Sequence, residues 1–225
     1  MNVYRTVEDA LFAGKKYNVI YIDPPWKYMP DIGDRRRTIN GVRVKQARSR
    51  CSNSSPDAQY ETMPPAEIAR LPIGDLADRN CWLFMWVVNS LTPEALECAR
   101  RWGFRFSTWA FMWEKVSKAT GRPVPGQGWT TLSGMELCMV AKRGTLRRAS
   151  MRVHQVLRAP RGGHSAKPAE VRARIEALMG PATSKVEVFQ RGPAPEGWDV
   201  VGRQAGVPDQ RLKPFIAQDV GGGGK

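Results

Sequence analysis

The feature that most restricts how this chain can fold is the run Tyr17-Asn18-Val19-Ile20-Tyr21-Ile22-Asp23-Pro24-Pro25-Trp26. It is rich in β-branched and aromatic residues, too short for an ordinary helix, and closed by two prolines, so it reads as a buried strand. Open α/β sheets place ligands outside the carboxyl ends of their strands. Asp23 therefore stands where such a sheet does its chemistry. Pro24 and Pro25 carry no amide hydrogens, so the turn is rich in acceptors and poor in donors, and Trp26 adds a flat apolar face. That set suits a planar base with an exocyclic amino group, adenine or cytosine. With the Asp23 carboxylate and the Pro24 carbonyl accepting its two N–H bonds, the amino nitrogen moves towards a tetrahedral geometry and aims its lone pair at an electrophile. This is orientation and electrostatic preorganisation. Taken alone, Asp-Pro-Pro also fits a turn that merely closes a strand, with Asp23 as a cap.

The remaining elements read in order as alternating helices and strands. Residues 5–13 form a short helix capped by Thr6 and stopped by Gly14. Pro64 and Pro65 open a second short helix to Arg70. The continuous apolar run 80–88 fits a strand covered on both faces. Thr92-Pro93-Glu94 starts a helix that ends at Gly103, with Thr92 as its cap. Strands over 104–113 and 135–140 flank a Gly/Pro-rich loop and resemble a long-looped hairpin. The segment from His164 opens an amphipathic helix with Val171, Ile175 and Leu178 on one face, ending at Gly180-Pro181. Strands over 184–191 and 197–204 close a domain spanning 1–206, and the tail 207–225 reads as disordered.

The chain has 225 residues, enough for one α/β core with insertions, and a formal charge of +14 that predicts a polyanionic partner. Much of the charge lies in two segments. The insertion at about 30–56 carries Arg35, Arg36, Arg37, Arg43, Lys45, Arg48 and Arg50 against Asp31 and Asp34. It reads as a loop, either a nucleic-acid clamp beside Asp23 or a solvated insertion. A second basic loop at about 142–161 includes Arg147 and Arg148 and no acids, so the two loops are expected to flank one electrostatic trough. Cys51, Cys81, Cys98 and Cys138 form no Cys-x-x-Cys pair, and with His154 and His164 alone no metal site is expected. Cys81 and Cys138 read as core residues. The absence of a signal-peptide pattern or a membrane-length apolar run points to the cytoplasm.

Several motifs now stand in one order: Asp23-Pro24-Pro25-Trp26, Tyr60-x-Thr62-Met63, the strand Leu83–Val87, Trp113-x-Lys115, Glu136, His164-Ser165-x-Lys167-Pro168, Glu187-x-Phe189-x-Arg191 and Gly197-Trp198-Asp199. Over about residues 17–204 the chain resembles the family of the eukaryotic messenger-RNA adenosine methyltransferase and its bacterial and phage relatives. The resemblance implies a Rossmann-like α/β fold using S-adenosylmethionine, with circularly permuted motifs and a mostly parallel sheet with an antiparallel hairpin. It implies that Asp23 and Pro24 hold the target amino group, that Pro25 and Trp26 complete that turn, and that Trp26 lines the base pocket. Tyr60 and Glu136 belong to loops over the target. Lys167, at the start of its helix, binds the cofactor carboxylate, with Arg191 and Gln204 at its ribose or adenine and Asp23 also among the cofactor-binding residues. Arg203 stands where the family more often has asparagine, and Gly192-Pro193-Ala194-Pro195 replaces polar residues of eukaryotic members. The expected reaction is adenine-N6 methylation in nucleic acid, DNA ahead of RNA, on a flipped or unpaired base. The alternatives are cytosine-N4 methylation and a non-catalytic nucleic-acid-binding subunit. A monomer and a homodimer are both compatible with the sequence.

Overall fold

The computed structural model describes residues 1–27, 62–126, 131–162 and 166–206, with the strand backbones at 38–39 and 42–43. Most of the 30–56 insertion, Tyr60, His164, Ser165 and the tail lie outside the described residues. The N-terminal half contributes β1 (Val3–Tyr4), α1 (Val7–Phe12), β2 (Tyr17–Ile22), the short pair β3 (Thr38–Ile39) and β4 (Val42–Arg43), α2 (Pro65–Ile68), α3 (Ile73–Leu76) and β5 (Ala77–Val87). Then follow α4 (Thr92–Arg101), β6 (Arg105–Val116), β7 (Met135–Arg143), β8 (Val156–Pro160), α5 (Glu170–Met179), β9 (Lys185–Val188), β10 (Arg191–Gly192), β11 (Asp199–Val201) and β12 (Gln204–Ala205).

Eight strands make one sheet in the order β1-β11-β9-β2-β5-β7-β6-β8. All pairs are parallel except the two made by β7, so β6 and β7 form the expected antiparallel hairpin within a mostly parallel sheet. After the edge strand β1, the chain enters the middle of this sheet at β2. From β2 it winds outward through β5 to β8, then returns through α5 to place β9 on the other side of β2. The strand order therefore reverses between β2 and β9, and such a reversal opens a crevice at the carboxyl ends of the two strands. This is the permuted order that the sequence implied.

Both faces of the sheet are covered, which explains why β2 and β5 are nearly all apolar. Ile20, Ile22, Leu83 and Met85 face one core with Val7, Ile68 and Trp102. Val19, Tyr21, Trp82, Phe84 and Trp86 face a second core with Val171 and Ile175 of α5. Cys81 and Cys138 are buried as expected, and burial pushes the Cys81 thiol up to about 12. Thr6 caps α1 in a reciprocal capping box with Asp9, worth roughly 1 kcal/mol.

Several boundaries differ from the sequence reading. Thr92 is the first residue of α4 and not its cap, because a 3-10 turn over Asn89–Leu91 precedes it and the Thr92 hydroxyl donates to Asn89 O. Met179 fills the third buried position of α5, with Leu178 partly buried. The strand expected over 184–191 stops at Val188, and that over 197–204 divides into β11 and β12. The segment 142–161 is not one loop. It contains the end of β7 and all of β8, which pairs with β6 from Met112↔Val156 onward. Its charges hid the strand because β8 is a sheet edge with Leu157 alone fully buried. Arg174 of α5, paired with Glu170, donates to the carbonyls of His154 and Val156 beside that edge, blunting it against another strand. No helix among the described residues is long and apolar enough to cross a membrane.

Candidate active site

Asp23 follows the last residue of β2 and lies at the mouth of the crevice beside β9. The turn it begins is held from three sides. Trp26 N–H donates to Pro24 O at 2.8 Å, Met63 N–H to Pro25 O at 2.7 Å, and Lys27 N–H to Met63 O at 2.9 Å. Pro24 O thus uses one of its two lone pairs internally and keeps the other. Trp26 does not present an open stacking plate: it is 4% exposed, packs in the first core, and its indole N–H donates to Trp86 O at 3.0 Å. The ring anchors the turn to the end of β5. A buried indole needs such a partner, and the motif alone does not show where the ring points.

The charged centre of the site is a chain of four side chains. Lys167 Nζ lies 2.8 Å from Asp23 Oδ2 and 3.4 Å from Glu136 Oε2, while Lys115 Nζ lies 2.5 Å from Glu136 Oε1. Glu136 is on strand β7 and not on a loop over the site. Lys167 precedes α5, whose N-terminal boundary residue is Ala169, so it is not in the first helical turn. Lys167 and Lys115 also sit over the rings of Trp86 and Trp113, at 5.3 and 5.4 Å from the ring centroids. Burial raises the Asp23 carboxyl above its ordinary value, with the Lys167 ammonium opposing. For Glu136 burial is outweighed by Lys167 and Lys115, and its carboxyl is lowered. Lys167 is raised, because its two carboxylates outweigh its own desolvation. The ensemble is a proton acceptor beside a cation that stays charged.

A second polar group lies behind Asp23, and the sequence reading assigned it no role. Glu187 of β9 pairs across the sheet with Tyr21, two residues before Asp23, and Arg172 of α5 donates to both its carboxylate oxygens at 3.1 Å. Burial pushes the Glu187 carboxyl up to about 7 against the pull of Arg172. Tyr21 OH accepts from Trp86 Nε1 at 2.6 Å. The available signal was an acid inside an otherwise covered strand, Lys185-Val186-Glu187-Val188.

On the β9 side, Phe189 has a φ of 64°, a left-handed conformation rare for a bulky residue. Strain of this kind gathers at ligand sites. It turns the chain so that Gln190 N–H reaches Val201 O and Arg191 pairs with Gln204 across β10 and β12. The structure therefore brings Arg191 and Gln204 together, both exposed, at the β9 end of the crevice. Asp199 of the Gly197-Trp198-Asp199 motif is internal: it accepts from Lys15 Nζ, Tyr17 OH and Asn2 N–H at 2.6, 2.8 and 2.7 Å.

The trough expected between the two basic segments falls largely outside the described residues. Arg35, Arg36, Arg37, Lys45 and Arg48 lie outside the described residues, and Arg43 is placed by its backbone in β4. Arg147 and Arg148 follow β7, which runs against the other strands and ends opposite Cys81, near the start of β5. They stand towards the opposite edge of the sheet from Asp23. Loop order in the sequence could not reveal this, because it depends on β7 being the antiparallel strand.

The MT-A70 family pattern matches residues 17–204. The chain is also 33% identical over 201 residues to the Type II methyltransferase M.MunI of Mycoplasma sp., covering 88% of this chain and 81% of that protein. With the permuted sheet and Asp23 at its switch point, these similarities show that the chain belongs to the MT-A70 family of methyltransferases.

Proposed function

We propose that this protein transfers the methyl group of S-adenosylmethionine to the exocyclic N6 of adenine in nucleic acid, with DNA ahead of RNA. The observation that carries the reading is Asp23 at the β2 end of the crevice, beside a free lone pair on Pro24 O and ion-paired to Lys167. The preference for DNA rests on the compact chain and its likeness to a bacterial Type II methyltransferase.

The residues present fit the cofactor. An ammonium has three donors, so Lys167 accommodates a carboxylate alongside Asp23 and Glu136, and Arg191 and Gln204 offer donors to a ribose or a ring. When bound, S-adenosylmethionine supplies an electrophilic methyl group on a sulfonium sulfur. Asp23 Oδ and Pro24 O accept the two N–H bonds of the adenine amino group and draw its lone pair out of the ring. On transfer of that methyl group to the amino nitrogen, Asp23 or water would take up the amino proton released. Lys167 and Glu136 fix the Asp23 carboxylate, while Pro25 and the buried Trp26 fix the turn. The sequence assigns Tyr60 and the arginines of the 30–56 insertion, which apart from the backbone of Arg43 lie outside the described residues, to the target side. A paired amino group cannot reach Asp23, so the base is flipped or unpaired.

The test is transfer of labelled methyl to matched single- and double-stranded DNA and RNA, followed by nucleoside analysis. N6-methyladenine is expected, and methylated cytosine would overturn the assignment of the base. Asp23→Ala lowers turnover by about 10²-fold or more while cofactor binding persists; full activity in this variant would sink the mechanism.

A further inference from the structure

Away from Asp23, four cations share the amino-terminal edge of the sheet: Arg105, Lys142, Arg147 and Arg148. Lys142 is the cross-strand partner of both Trp82 and Arg105, and its Nζ lies 3.9 Å from the Trp82 ring centroid. The Trp82 indole N–H donates to Leu146 O at 3.1 Å, and Asn80 Oδ1 accepts from Thr145 N–H at 2.8 Å. Gly144, at a φ of 69°, lets the turn close against Asn80, where a Cβ would lie 2.2 Å from Asn80 Oδ1. The turn carrying Arg147 and Arg148 is therefore built onto β5 and not loosely draped.

The cations of this turn lie close enough to repel. Burial and then Arg148 depress the ammonium of Lys142. No acidic side chain pairs with Arg105, Lys142, Arg147 or Arg148 among the described residues. Asp78, near Cys81, accepts from the Asn80 amide instead. Some arginines elsewhere carry acidic partners, as with Arg158 on Glu114 and Arg172 on Glu187. A pinned cluster of like charges left without counter-ions costs stability that an external polyanion returns.

We propose that Lys142, Arg147 and Arg148, with Arg105, form a second phosphate-binding surface that grips the nucleic-acid backbone flanking the target base. Trp82 at this patch and Trp86 beside the site are four residue steps apart along β5, about 13 Å or about four base-pair steps of duplex. The surface is separate from the crevice, and the proposal requires one nucleic acid to span both. The inference rests on the nucleic-acid reading of the substrate but not on methyl transfer.

The experiment measures binding of labelled duplex DNA, about 24 base pairs long, across a salt series without turnover. Arg147→Ala/Arg148→Ala is expected to reduce the slope of log affinity against log salt by about 1.8, two phosphates at about 0.9 each. Arg147→Lys/Arg148→Lys restores the slope, since the charge is kept. Unchanged cofactor binding and melting temperature show that the fold survives. A slope in the alanine variant equal to that of the wild type would overturn the surface, as would a loss that lysine does not restore. Failure of the wild-type protein to bind single- or double-stranded DNA or RNA would overturn the nucleic-acid reading itself.

Discussion

Glu187 makes folding stability depend on pH in a direction opposite to most carboxylates. Its side chain is 13% exposed, and burial raises its carboxyl from the ordinary 4.5 to about 7 despite the bidentate contact from Arg172. A carboxyl raised on folding binds more protons in the native state than in the unfolded chain. Its contribution is therefore fully present below about pH 4.5 and is lost as pH rises through about 7. The rise from 4.5 to about 7 is worth about 3 kcal/mol, most of which falls between about pH 5 and about pH 8. Glu187→Gln keeps the shape and removes the titration. The assay is urea unfolding of wild type and variant across that interval, taking the difference at each pH so that other groups cancel. The wild type should lose about 2–3 kcal/mol relative to the variant on going from the acid end to the alkaline end. A difference that stays flat to within about 0.5 kcal/mol, or one that slopes the other way, would refute the reasoning. Asp23 adds to the rise of the Glu187 carboxyl, so the group bears on the site as well as on the core.

Asp199 behaves in the opposite sense: Lys15, Tyr17 and the Asn2 amide together outweigh burial and lower its carboxyl, so its contribution is present above its unfolded value and lost as pH falls through the folded one. Asp199→Ala should cost about 2–4 kcal/mol in urea unfolding at neutral pH, because it strands Tyr17 OH and Lys15; a loss below about 0.5 kcal/mol would contradict this. Lys167→Met should weaken S-adenosylmethionine binding by about 30-fold or more in calorimetry, the loss of a charge-assisted bond of roughly 2 kcal/mol. Unaltered affinity would remove Lys167 from the cofactor site.

The sheet, its mixed direction and its reactive turn were legible in the sequence because each rests on a local pattern. The apolar run before Asp23, the covered strand over 80–88 and the capped helix after Thr6 were all found near their expected places. What misled was charge. The basic segment after β7 concealed β8, since an edge strand buries so little that its apolar alternation is faint. In the 30–56 insertion the pairing of Ile39 with Val42 flanks Asn40-Gly41, a hairpin signal overlooked among the arginines.

The sequence by itself determined which groups this chain possesses: an acid and two prolines at a strand end, a lysine before a late helix, and an arginine and a glutamine beyond the last long strand. The tertiary structure decided which of them meet. Lys167 reaches Asp23 across 144 residues, Glu136 couples to Lys115 over an antiparallel pair, and Arg147 and Arg148 turn away to the other edge. The physical reason is that side-chain type and local propensity act over a few residues, whereas ion pairs and burial depend on strand order and direction. Those are set when the whole core packs.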